Sequence, residues 1–235
     1  SARPTLAPHG CRSGREGWYL DPVIRTSGPA LRVLAAAFAL LGLLALPAAV
    51  GQAPTPGVLN EVWLVPIEGE ITAATTAFVR SRVVRANDEQ ALALAFYVDT
   101  PGGSVEAMRD IVTAIMQEAQ VPTLAVVQNA FSAGALIAMS AERLAMLPGS
   151  SIGAALPILA TPTGIAPVDE KFTSALRGEF RSVAEARGRN ATVAEGMVDE
   201  RVVIPGLSTA SELVTLTARQ AVEHGIADVQ ANTLA

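Results

Sequence analysis

Residues 91–98, ALALAFYV, are an unbroken apolar run of strand length that ends at Asp99-Thr100-Pro101-Gly102-Gly103. A strand apolar at every position must be covered on both faces, the condition of a parallel sheet lying between layers. The neighbouring segments fit that condition. VWLVPI (62–67) reads as a strand and residues 71–87 as a helix. Residues 104–119 place Val105, Met108, Val112, Ile115 and Met116 on one helical side. PTLAVVQ (122–128) reads as a strand, 132–142 as a helix, and RLAML (143–147) as a short strand closed by Pro148-Gly149. Residues 150–168, rich in Gly, Pro, Ala and Thr, read as a loop. A helix is expected from about Asp169 to Arg187 and a short one near Thr192. LVTL (213–216) reads as a strand, and Thr217-x-x-Gln220 caps a last helix that stops at Gly225. IADV (226–229) is a final apolar segment. This alternation predicts an α/β fold with a parallel sheet.

Half of the 235 residues are hydrophobic and 17% are charged, which excludes long disorder. A mean hydropathy of +0.37 points to an export or membrane segment. VLAAAFALLGLLAL (33–46) is that segment, behind a leader carrying Arg3, Arg12, Arg15, Arg25 and Arg32. It is followed by Pro47 and small residues, the pattern of a secretory signal. Extended through Val50 it also reads as an uncleaved signal anchor. Either form places the following domain outside the cytoplasm. Residues 1–53 therefore read as leader plus signal, 54–59 as linker and 60–235 as the folded domain. The net charge is -5 and no basic block lies outside the N-terminus, so nucleic acid is not an expected partner. Cys11 is the only cysteine, and His9 and His224 are the only histidines, which leaves no disulfide and no Cys/His metal cluster.

Three places carry chemistry. Gly102-Gly103 lies between a strand and a helix, where backbone N–H groups can hold a phosphate or a developing oxyanion; a plain turn has the same composition. In Phe131-Ser132-Ala133-Gly134-Ala135, a serine at a helix start is backed by small residues that let a carbonyl approach; an ordinary N-cap looks the same. The third is Lys171, the single lysine beside 16 arginines. A serine nucleophile needs a base. His9 precedes the apolar segment and His224 ends the last helix, so a Ser-His-Asp triad is not expected. A buried lysine can serve as the base, and an arginine cannot because it keeps its proton. A lone surface lysine is the other reading.

As a set and in order, Asp99-Thr-Pro-Gly-Gly103, Ser132-Ala-Gly134, Met146-Leu-Pro-Gly-Ser-Ser-Ile-Gly-Ala154, Gly188-Arg-Asn-Ala191 and the final helix up to Gly225 resemble a known family. The chain is similar to the NfeD-type membrane-bound serine proteases, which are related to signal peptide peptidase A. The resemblance implies a Clp-protease/crotonase-like ββα superhelix and an ATP-independent Ser–Lys dyad endopeptidase without a cofactor. By position, the nucleophile is Ser132 and the base Lys171. The oxyanion hole is the backbone N–H of Gly103 and of Ala133. Gly102, Gly134 and Ser151 shape the site, and Leu136, Ile152 and the Ala-rich loop are expected to keep the lysine dry. The implied substrate is an apolar protein segment, the implied partner a stomatin-like membrane protein, and the implied assembly a homo-oligomer built on dimers. A crotonase-type acyl-CoA enzyme shares the amide-built hole without the dyad, and a non-catalytic scaffold for a stomatin-like protein needs neither.

Overall fold

The structure, a computed structural model, describes residues 61–161 and 164–232. The expected leader, signal and linker (1–59) lie outside the described residues. Strand β1 (Val62–Ile71) leads through α1 (Ala73–Asp88) to β2 (Ala93–Gly103). Helix α2 (Val105–Thr113) widens into a π-helical turn at Ala114–Glu118 before β3 (Thr123–Phe131). Helix α3 (Ala133–Ser140) and β4 (Arg143–Gly153) follow. A small hairpin, β5 (Ile158–Thr161) and β6 (Gly164–Pro167), precedes α4 (Glu170–Ala186) and α5 (Ala191–Val198). Strand β7 (Thr215–Thr217), α6 (Ala218–Glu223) and β8 (Val229–Gln230) complete the order.

Strands β1, β2, β3 and β4 pair in that order and are parallel. The far side of β4 is shared: β7 pairs antiparallel with residues 151–153, and β8 pairs parallel with residues 145–146. The unbroken apolar run is the second strand of this sheet, and Leu94, Phe96 and Val98 are fully buried in it. Helix α1 packs on β1, α3 on β2 and β3, and α6 on β4. Each such buried aliphatic or aromatic side chain contributes ~1.5–3 kcal/mol. Short polar residues start the helices. Thr72 and Thr75 form a capping box on α1, Ser104 caps α2, Asp169 caps α4 and Asn190 caps α5. The expected Thr217–Gln220 box caps α6.

Two expectations are corrected. Pro148-Gly149 does not close the fourth strand, which runs on to Gly153. The pair lies in a bulge: the register passes from Val127↔Met146 to Asn129↔Ser151, so residues 147–150 loop out against one residue of β3. A proline is tolerated there because no ladder bond needs its missing N–H. Residues 150–168 are also not one loop, since they supply the end of β4 and the β5–β6 hairpin.

Candidate active site

The motif glycines and the candidate serine come together where parallel strands leave the sheet, the usual place for a site in an α/β fold. Ser132 joins β3 to α3 with φ 54° and ψ -120°, a conformation that a residue with a Cβ seldom holds. It stands in the N-cap position, yet its hydroxyl makes no capping bond, and its Oγ has no hydrogen-bond partner among the described residues. The plain N-cap reading therefore fails for Ser132. Its backbone is held on both sides: its N–H donates to the Gly153 carbonyl at 3.0 Å, and its carbonyl accepts from Ala135 N–H at 3.0 Å.

The glycines permit this packing. A Cβ on Gly102 would lie 2.6 Å from Ser132 Cβ, and one on Gly134 would lie 2.3 Å from Thr100 Cγ2. Thr100 is the hinge between them. Its buried hydroxyl donates to the Gly69 carbonyl at 2.5 Å and accepts from Gly102 N–H at 3.0 Å. Gly103 faces β1, where an added Cβ would meet the Ile71 carbonyl oxygen at 2.3 Å. The Ser104 N–H donates to that same carbonyl at 2.8 Å. Ala133 is the first residue of α3, and its N–H is one of the helix's orphan donors. Ser151, half-buried on β4, pairs with Asn129, whose amide donates to Asp99 at 2.9 Å. Asp99 thus braces the turn, and Ser104 caps the helix that follows.

Lys171 occupies the first turn of α4 and is exposed, and its ammonium makes no hydrogen bond or ion pair among the described residues. No hydrogen bond joins it to Ser132. The expected dry pocket is corrected here: Leu136 and Ile152 belong to the buried core, while Lys171 itself is exposed. Lys171 nevertheless lies on a defined face. Counted along the helix, Ala175, Gly178 and Ser182 share its side. These three line a groove of about 570 Å³ together with Val112, Leu136 and the Arg109–Glu179 pair. Leu136 follows Ser132 by one turn and Ala175 follows Lys171 by one turn, so both candidate residues stand a turn away from the same groove.

The structure also gives the Gly188-Arg-Asn stretch a role that the sequence did not disclose. Arg187 Nε donates to the Ser140 carbonyl at 2.7 Å, and Arg189 donates to the Met139 and Ala141 carbonyls at 3.1 and 2.9 Å. Two arginines thereby satisfy the carbonyls at the C-terminal end of α3, whose other end carries Ser132. Asn190 caps the next helix.

A family model described as NfeD1b, N-terminal domain, matches residues 61–235. The membrane-bound protease PH1510 of Pyrococcus horikoshii is 32% identical over 181 residues, 74% of this chain and 38% of that protein. The membrane protein NfeD1b of Bacillus subtilis is 29% identical over 198 residues, 83% of this chain and 44% of that protein. The chain thus spans about two fifths of the length of these curated relatives. Among solved structures, a serine-to-alanine mutant of the 1510-N membrane-bound stomatin-specific protease matches with TM-score 0.66 and 31% identity, covering 74% of this chain and 81% of that one. A lysine-to-alanine mutant of the same protease, in complex with a substrate peptide, matches with TM-score 0.66 and 32% identity, covering 74% and 77%. The Clp-protease-like α/β fold implied by the sequence is the fold of this chain.

Proposed function

The chain belongs to the NfeD1b N-terminal domain family, and on that premise we propose that it is an ATP-independent serine endopeptidase working through Ser132 and Lys171. The observation that carries this reading is the strained, uncapped Ser132 with Gly102 packed against its side chain. Strain of this kind costs about 1–3 kcal/mol and persists where surrounding contacts hold it, most often at functional sites.

In the proposed reaction, neutral Lys171 removes the Ser132 proton as Oγ attacks a peptide carbonyl. The N–H groups of Gly103 and Ala133 hold the oxyanion, each donor being worth about 3 kcal/mol. Lys171 then returns the proton to the departing amine. A water, deprotonated by the same lysine, attacks the acyl-serine and frees the second product, and Lys171 passes that proton to the departing Ser132 Oγ. Gly102 and Gly134 keep the approach to the serine narrow and free of side chains, and Ser151 borders it. The groove between α2 and α4, lined also by Leu136 of α3, takes apolar side chains of the substrate, and a peptide lying across it shields the lysine from water.

Residues 60–235 are the protease domain in this reading, behind an export leader (1–53) and a linker (54–59). The domain works outside the cytoplasm, either secreted or held near the membrane by the N-terminal apolar segment. Among the described residues no helix is long and apolar enough to cross a membrane. A relative named for stomatin specificity supports a stomatin-like membrane protein as substrate and partner. A homo-oligomer built on dimers is the proposed assembly. Cleavage of an apolar peptide by the wild type and by Ser132→Ala, with labelling by a fluorophosphonate probe, tests the function. Labelling of the wild type and not of the variant is expected. Equal cleavage by both removes the reading.

A further inference from the structure

The turn of α4 that carries Lys171 is clamped from outside its own helix. Asp199, the C-cap residue of α5, is only 2% exposed. Its carboxylate accepts from the Arg201 N–H at 3.0 Å, from Arg201 Nε at 2.9 Å and from Arg201 Nη2 at 2.8 Å. It also accepts from Arg177, in the second turn of α4. Arg201 Nη2 then reaches both carboxylate oxygens of Glu170 at 2.7 Å. Glu170 is the residue before Lys171. One buried carboxylate thus holds α4 at two points seven residues apart, directly through Arg177 and indirectly through Arg201 and Glu170. A further tie, Arg181 to Glu195 at 2.5 Å, links the same two helices beyond Arg177.

We infer that Asp199 is a positioning residue for Lys171, acting through Arg201 and Glu170 on the first turn of α4. The inference rests on the reading of Lys171 as the base. An exposed Glu–Arg pair by itself is worth little. Here the guanidinium is already fixed by a carboxylate out of water, so its planar fork presents a set geometry to Glu170. First turns of helices fray. A proton-transfer group tolerates little misplacement, and about 1 Å of error can cost a hundredfold in rate. The clamp supplies what an exposed first-turn lysine lacks.

The test exploits the chain's only lysine. Nitrogen-15 labelling of lysine gives a single Nζ resonance, which reports on Lys171 whether or not the protein is active. Arg201→Met and Glu170→Gln change side chains that are 59% and 60% exposed, so both variants should fold even where Asp199→Asn does not. The expected result is a fall in kcat of tenfold or more at unchanged KM, accompanied by a shifted or broadened Lys171 resonance. An unchanged resonance in folded Arg201→Met and Glu170→Gln overturns the inference, whatever the rate. Failure of the underlying reading shows differently: full activity of Lys171→Arg removes the base assignment, and the positioning role in catalysis goes with it.

Discussion

Gly102 and Ser132 touch through the space where a Cβ on Gly102 would stand, 2.6 Å from Ser132 Cβ and 3.0 Å from Ser132 Oγ. Gly102 also has φ +113°, which residues with a Cβ rarely adopt. Gly102→Ala is therefore expected to displace the serine and abolish peptide cleavage. The strain should lower stability by about 1–3 kcal/mol in a domain that still folds. Gly178→Ala is the matched control for stability alone, because Gly178 also lines the proposed substrate groove. Gly178 lies inside α4 at ordinary helical φ with open space around it, so alanine should stabilise by about 0.5–1 kcal/mol. Urea melts of both variants check the pair, and cleavage rates are read for Gly102→Ala against wild type. Equal stability changes in the two variants would contradict the contact.

Ser132→Gly tests the strain directly. At φ 54° and ψ -120° a glycine rests without the Cβ penalty that serine carries. The variant should lose all cleavage yet hold or gain about 1 kcal/mol of stability, despite glycine's greater freedom in the unfolded chain. A loss of 1 kcal/mol or more would mean that the serine geometry is relaxed.

Much of this arrangement is legible before folding, and the exceptions share a cause. The buried β2 run, the Gly102-Gly103 turn and the serine at the start of α3 are local patterns, and each element forms where its pattern stands. Non-local geometry escaped. A Pro-Gly pair reads as a stop unless one knows that β4 bulges against β3 at that point. The arginines were equally silent. Sixteen against one lysine suggested a special task for the lysine. In the folded domain Arg80 and Arg109 each grip a glutamate through two nitrogens, and Arg201 grips both Asp199 and Glu170. Lysine cannot supply such a fork. The bias toward arginine thus has structural reasons of its own, and the case for Lys171 rests on its place in α4.

Asp199 sets an acid limit on stability. Hydrogen bonds from Arg201 hold its carboxyl at about 2, against the opposing pull of burial. The folded value lies below the unfolded one of about 3.9, so the stabilisation is complete above the unfolded value. It fades as pH falls through the folded value. The shift corresponds to about 2–3 kcal/mol. Denaturant titrations of wild type and Asp199→Asn should differ by a constant amount above pH ~5, and the gap should close by about that figure toward pH ~2. A gap independent of pH would show that Asp199 does not titrate in this way.

Among the described residues Arg189 is the one nearly buried arginine, and its four partners surround it in the manner of a socket. Besides the Met139 and Ala141 carbonyls it donates to the Ile226 carbonyl at 2.7 Å and to Asp228 at 3.2 Å. Burial pushes its pKa down and Asp228 pulls it back up, but a guanidinium keeps its charge throughout. Arg189→Met strands three carbonyls and leaves Asp228 with Arg143 as its remaining ion-pair partner, at a cost of about 3–5 kcal/mol. Arg189→Lys separates charge from shape. Its single ammonium has three donors and no plane, so it cannot reach all four acceptors, and burial favours its neutral form. A loss of about 1–3 kcal/mol is expected, between wild type and Arg189→Met. Because the socket closes the far end of α3, the lysine variant should also disturb the Ser132 end, seen as slower fluorophosphonate labelling in protein that remains folded. Wild-type stability and labelling in Arg189→Lys would show that charge alone suffices there.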